Sequence, residues 1–239
     1  MIKTIIFISA GVLIALSSCN HVVKKGNGHV TTEQRTVSPF TKIAIEGTFP
    51  VEISQNGSDE AVKVEADENL QKLIAVNTEG GKLSVKLADD AAINPSTKMK
   101  VYINIKNLTD LDFKSVGTLT TTDTLKLDSL NINSEAVGKL IFDVNAKYLH
   151  ANFESVGNTV LAGNVYEARI NNKSIGTLSA SDLKTKIMMI HNASVGLTEV
   201  YADSAFYIRS TSVGALYYRG PGDVKELKSE GIGRVQKKE

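Results

Sequence analysis

The chain has one cysteine, Cys19, no tryptophan, four prolines and four histidines among 239 residues. Each shortage excludes something. A lone cysteine cannot form an internal disulfide, so the fold must be held by burial and backbone pairing. Net charge is also missing: 27 basic residues stand against 26 acidic ones. Removing residues 1–18, which contain one lysine and no acid, leaves 26 of each. The charges are scattered rather than blocked, and without a basic stripe to displace counterions from phosphates the chain is not expected to bind nucleic acid. No helix longer than a turn can be drawn in the mature chain, and no apolar run reaches the roughly 20 residues needed to span a bilayer.

The one clear apolar run is at the start. Met1 to Thr4 carry a single positive charge, Ile5 to Leu16 are mostly apolar, and Leu16-Ser17-Ser18-Cys19 follows at once. A short apolar run ending in small residues is a cleavable export signal, and Leu-Ser-Ser-Cys resembles the bacterial lipobox, whose cysteine is acylated and becomes the new first residue. Residues 1–18 therefore read as a lipoprotein signal peptide and Cys19 as the lipidation site, giving a membrane partner through a lipid anchor. Residues 19–38, with Lys24, Lys25, Gly26, Asn27 and Gly28 and few large apolar side chains, suit a flexible tether, so the folded body is expected to occupy 39–239.

From Phe40 to about residue 110 short segments alternate apolar and polar residues, as half-buried strands do: Ile43-Ala44-Ile45, Val51-Glu52-Ile53, Val62-Lys63-Val64, Leu83-Ser84-Val85 and Val101-Tyr102-Ile103. Asn56-Gly57, Gly80-Gly81 and Asn94-Pro95 punctuate them. Asp67 to Leu73 reads as one helical turn with Asp67 as its N-cap.

Beyond residue 110 the sequence repeats. Ser115-Val116-Gly117 recurs as Ala136-Val137-Gly138, Ser155-Val156-Gly157, Ser174-Ile175-Gly176, Ser194-Val195-Gly196, Ser212-Val213-Gly214 and Gly231-Ile232-Gly233. The interval between successive glycines is nearly constant. A second turn signal follows shortly after each of the first six glycines, at Asp123, Asn145, Gly163-Asn164, Asp182, Asp203 and Gly220-Pro221-Gly222. One such repeat cannot bury its own apolar face, so repeats must stack, which gives an all-β, right-handed parallel β-helix or β-solenoid of about 20 residues per rung. The β-branched column is expected inside, the leucines two positions beyond the glycine (Leu119, Leu140, Leu178, Leu216) form the next inward position, and the glycine makes the corner.

The segment Phe40 to Gln55, the GGKLSVKL stretch ending at Leu87 and the Ser-Val-Gly repeats resemble the auto-transporter adhesin, head GIN domain family of Bacteroidetes envelope proteins. That resemblance implies a right-handed β-helix, an envelope location and no catalytic residues.

The residues themselves offer little chemistry. The repeated serines have no repeated histidine as base, and read as small hydroxyls bonding the corner backbone. His150 follows Gly138 and His191 follows Gly176 at unequal offsets, so they belong to different columns and no metal or cofactor is expected. Aspartates near corners read as turn residues, and three Asp-Ser/Thr-aliphatic triplets, at Asp123, Asp128 and Asp203, resemble O-glycosylation acceptors. Aromatic residues gather late in the chain, and Tyr201, Tyr207, Tyr217 and Tyr218 are the candidate binding residues for a protein or glycan partner. The expected function is thus a non-enzymatic envelope lipoprotein that presents a repetitive surface for adhesion or for binding protein or glycan, with a periplasmic structural or assembly role as the alternative and a polysaccharide-active enzyme as a third, less favoured reading. Asn20 to Lys25, which lack the acids common after a surface-exported lipoprotein's cysteine, lean towards a periplasm-facing outer-membrane location. Lys225, Lys228, Lys237 and Lys238 are expected to discourage pairing at the C-terminal end.

Overall fold

The computed structural model describes residues 23–88, 93–94 and 98–239; the signal peptide and Cys19 lie outside the described residues. Seven strands precede the repeats: β1 (Val30–Arg35), β2 (Lys42–Gly47), β3 (Val51–Ser54), β4 (Ala61–Asp67), β5 (Ile74–Glu79), β6 (Lys82–Leu87) and β7 (Met99–Asn104). The coils follow in β8 (Asp110–Thr121), β9 (Leu125–Lys126), β10 (Ser129–Ser134), β11 (Val137–Phe153), β12 (Val156–Asn172), β13 (Ile175–Asn192), β14 (Val195–Tyr201), β15 (Ala205–Ser210), β16 (Val213–Arg219), β17 (Asp223–Ser229) and β18 (Arg234–Lys237).

These stack as a parallel β-solenoid. Val116, Val137, Val156, Ile175, Val195 and Val213 pair in succession, so each copy of the tripeptide stands directly over the one before it. Each rung has three walls. Wall A runs β5, β6, β2, the first half of β8, β10, the last parts of β11, β12 and β13, then β15 and β17. Wall B runs β1, β4, β7, β3, the second half of β8, the first parts of β11, β12 and β13, then β14, β16 and β18. A narrow wall C begins at β9 against Val144 and Asn145. The long strands β11, β12 and β13 bend around all three walls.

The interior is built in columns. Leu111, Ile132, Ala151, Ile170, Ile190 and Ile208 align on wall A, and Leu119, Leu140, Thr159, Leu178, Thr198 and Leu216 on wall B; all are buried. The second set is the inward position expected from the repeat. Each large aliphatic side chain buried there contributes about 1.5–3 kcal/mol.

The β-branched column is where expectation and structure part. Val116, Val137, Val156, Ile175, Val195 and Val213 are 44–55% exposed, and lie on the outside of the corner. Inward and outward residues alternate without a break across it: Phe113, Ser115 and Leu119 are buried, so Val116 must point away. The inside of a corner has the least room, and it receives the smallest side chains of the tripeptide. Ser115 donates from Oγ to the Gly47 carbonyl at 2.6 Å, and Ser155 Oγ donates to the Ser134 carbonyl at 3.1 Å. These are the corner hydrogen bonds expected of the small hydroxyls.

The glycine makes the turn, with φ between +129° and +134° at five successive rungs from Gly138 to Gly214. A Cβ at any of these five would stand 2.0–2.1 Å from the carbonyl oxygen of the glycine one rung before. The last copy departs from the pattern: pairing on wall B resumes only at Arg234, and Ile232 is 88% exposed.

The N-terminal end is closed by antiparallel strands and one 3-10 helix, Glu68–Leu73. Asp67 precedes that helix as expected but does not cap it through its side chain; its Oδ1 accepts from the Gly28 amide at 2.6 Å instead. Buried Gln71 donates through Nε2 to the carbonyls of Thr31 and Val64, and Arg35 donates to the Gln71 carbonyl and Oε1. Residues read from sequence as tether thus join the folded body as β1, which pairs with β4 from Val62 to Asp67 and covers an edge that would otherwise be open to another strand.

Candidate binding surface

Wall A and wall B present different chemistry to solvent. Wall A is stitched by ion pairs, most of them from rung to rung: Lys82 with Asp112 at 3.1 Å, Lys86 with Glu46 at 2.9 Å, Lys114 with Glu135 at 2.9 Å, Lys173 with Glu154 at 2.7 Å and Arg209 with Glu226 at 2.9 Å. These pairs are exposed, and each contributes no more than about 1 kcal/mol. The hydrogen bond from Lys86 holds the Glu46 carboxyl below its ordinary value, and that from Arg209 does the same for Glu226. Burial pushes the Asp112 carboxyl up, yet hydrogen bonds from Asn133 and Lys82 leave it net lowered.

Wall B carries charged pairs on its N-terminal strands, such as Lys100 with Glu52 and Lys98 with Glu65, but few charges outside along the coils from β8 to β16. Beside the exposed valine column run two further outward columns, Thr118, Lys139, Asn158, Thr177, Leu197, Ala215 and Thr120, Ile141, Val160, Ser179, Glu199, Tyr217. Among these twelve residues only Lys139 and Glu199 are charged, Glu199 is engaged by Arg219 at 3.4 Å and Lys238 at 3.3 Å, and Arg234 follows Ala215 on the last rung. What remains is a flat, regular surface of β-branched methyls and hydroxyls. Parallel strands hold its side chains about 4.8 Å apart from rung to rung. The exposed aliphatic side chains thus form one continuous stripe instead of being scattered singly.

The four tyrosines do not form one platform. Tyr207 projects from wall A, 37% exposed, in column with Met189 and Glu226. Tyr217 lies on the outside of wall B, where the Arg234 guanidinium donates to its hydroxyl and Lys238 stands 4.9 Å from its ring centre. Tyr218 turns towards the core and meets Phe206 edge-on at 5.2 Å. Tyr201 donates to Asp203 at 2.8 Å with the Lys184 ammonium over its ring at 3.9 Å; the Asp203 bond raises the phenol's pKa. Of the four, Tyr217 belongs to the wall B surface, and Tyr207 joins a separate wall A groove of about 570 Å³ lined by His150, Arg169, Met189, His191 and Arg209.

Both histidines reach that groove in separate columns, His150 with Arg169 and His191 with Asn171 and Arg209. Among the described residues no three His, Cys, Asp or Glu side chains gather as metal ligands. The valine column went unread as a surface feature because a β-branched residue in a repeat suits core and exposed strand positions equally well. The small-large-small order of the tripeptide carried the signal.

The repeat, the closed N-terminal end and the corner glycines agree with a match to a family model described as "Putative auto-transporter adhesin, head GIN domain", which covers residues 39–222. The chain belongs to the head GIN domain family. Solved structures share the fold of this head GIN domain. A protein of Bacteroides fragilis described as a "putative adhesin" superposes with a TM-score of 0.84 at 22% identity, covering 90% of this chain and 99% of its own. A Parabacteroides distasonis protein described as a "putative lipid binding protein" gives 0.70 at 20% identity over 91% and 100%. A Parabacteroides merdae "putative adhesin" gives 0.62 at 23% identity over 90% and 99%. No curated protein matches the chain.

Proposed function

We propose that this head GIN domain protein is a non-enzymatic lipoprotein of the cell envelope, anchored through Cys19, whose solenoid presents the outer face of wall B for contact with a protein or glycan partner. The observation that carries this reading is the aligned column of six β-branched side chains on the outside of the corner, 44–55% exposed. Such exposure amounts to about three fully exposed side chains, and covering it would contribute on the order of 5 kcal/mol before the costs of association. The adhesin descriptions of its family and fold relatives support the same reading.

The test has two arms. Protease shaving of intact cells, with Cys19→Ala alongside, reports where the domain stands: loss of the solenoid signal places it outside, and full protection favours the periplasmic structural role towards which Asn20 to Lys25 lean. Binding of the purified protein to panels of glycans and envelope proteins is then compared with a Val137→Thr, Val156→Thr, Ile175→Thr variant. Threonine keeps the β-branched shape and removes apolar surface, so the thermal midpoint should hold while binding falls at least tenfold. Unchanged binding by that variant would remove wall B as the contact face.

A further inference from the structure

The two ends of the solenoid are finished differently. At the N-terminal end β1, β5 and the 3-10 helix close the core, and Leu70 and Ile74 are 1% and 3% exposed. The other end is open. The inward wall A column from Leu111 to Ile208 is nowhere more than 3% exposed, yet its next member, Leu227, paired with Ile208, is 49% exposed. Val224, paired with fully buried Phe206, is 39% exposed. Among the described residues β17 is paired on one side only, with β15, so its outer edge offers unpaired backbone groups above an uncovered core.

The backbone of β17 is set for an antiparallel partner. Asp223 donates its amide to the Ser204 carbonyl at 3.0 Å and Glu230 donates to the Ser210 carbonyl at 2.9 Å, both towards the preceding rung. Positions an odd number apart in a regular strand would point opposite ways. The register shift at Lys225 absorbs the odd residue. Val224 and Leu227 therefore both turn their amide and carbonyl to the open edge, and both side chains face the core.

We infer that this open end is a self-association surface, in which β17 pairs antiparallel with β17 of a second copy about a two-fold axis between Lys225 and Glu226. In that register Val224 faces Leu227 of the second copy, Asp223 faces its Lys228 and Lys225 its Glu226, and the symmetry makes each pair twice. Moving the axis onto either neighbouring residue sets Glu226 against Glu226 or Lys225 against Lys225. The segment Asp-Val-Lys-Glu-Leu-Lys is thus complementary to its own reverse, which singles out a second copy as the occupant. Lys225 and Lys228, which in the single chain pair with Asp223 at 2.9 Å and Glu226 at 3.4 Å, each gain an acidic partner across the axis, and the uncovered core column ending at Leu227 is continued by the Phe206–Val224 column of the other chain.

Sedimentation of the full-length chain in detergent, with Cys19→Ser alongside so that acyl chains do not supply the association, tests this. The wild type and Cys19→Ser are expected to be dimers at micromolar concentration. Leu227→Glu and Lys228→Glu should each raise the dissociation constant at least tenfold, and Asp223→Lys combined with Lys228→Asp should restore the dimer. Leu227 is half exposed in the single chain, so its replacement should leave the β-sheet circular dichroism intact. A Cys19→Ser chain that stays monomeric at high micromolar concentration, or a dimer indifferent to both single substitutions, overturns the inference.

Discussion

Replacing Gly176 by alanine tests the corner most directly. Gly176 has φ +132°, and a Cβ built there lies 2.0 Å from the Gly157 carbonyl oxygen, against 3.4 Å or more for an ordinary contact. An L-residue at this φ carries about 1–3 kcal/mol of backbone strain. Relieving the clash requires the two rungs to separate by more than an ångström, which breaks the neighbouring bond from the Ile175 amide to the Ser155 carbonyl, now 2.9 Å. Leaving those two groups unpaired adds about 1–3 kcal/mol each. The expected loss is roughly 5 kcal/mol, a large share of the stability of any domain. Urea unfolding followed by far-ultraviolet circular dichroism measures it. Gly80→Ala is the control, because Gly80 also has positive φ, +55°, but nothing lies within 4 Å of its Cβ; it should cost about 1 kcal/mol. Equal losses for the two substitutions would show that only backbone strain matters and that the close stacking of corner on corner has been misjudged.

Asn192→Ala should destabilise by about 1–3 kcal/mol in the same assay, since buried Oδ1 accepts from Asn172 Nδ2, Ser194 Oγ and Thr198 Oγ1 at 3.0, 2.9 and 3.1 Å and the substitution removes all three bonds, leaving Asn172 Nδ2 its bond to Thr198 Oγ1 at 3.1 Å; a loss below about 0.5 kcal/mol would mean that these groups re-pair among themselves. The pH dependence follows from carboxyls held low: Lys86 does this for Glu46, Lys98 and Tyr102 for Glu65, Lys186 for Asp203 and Arg209 for Glu226. A depressed carboxyl stabilises the fold above its unfolded value and ceases to do so as pH falls through its folded value. The urea midpoint should therefore stay level from neutral pH down to about the ordinary glutamate value of 4.5 and fall below it; a midpoint that already declines well above that value would refute this account.

The sequence carried the repeating coil, and its N-terminal closure and outer surface only in part. A constant interval of about 19 residues can be met by few architectures, because only stacking places the same tripeptide at the same corner each time. The leucines two beyond each glycine were legible for the same reason: alternation is local, and it fixes them relative to the corner. The N-terminal closure was harder to see. Val30–Arg35 has few large apolar side chains, and its place as a strand depends on the edge of β4 and on Gln71, both of which come from much further along the chain.

The valine column shows how one column can be placed on the wrong side of the wall while the coil itself is read correctly. Counting inward positions from the valine requires the alternation to break at the corner, whereas counting from the serine keeps it unbroken and leaves the valine outside. Stability alone would accept threonine or serine at an exposed corner position, as the adjoining columns do at Thr118, Thr177 and Ser179. Six successive aliphatic side chains at that position exceed what the fold needs, and an aligned apolar stripe kept clear of charge is costly in water unless something covers it. The same reasoning applies to Leu227 at the open end, where a core column continues one rung further than the chain can bury it. Both features place apolar surface where the single chain gains nothing from it, and contact with another molecule is the physical setting in which each is favourable.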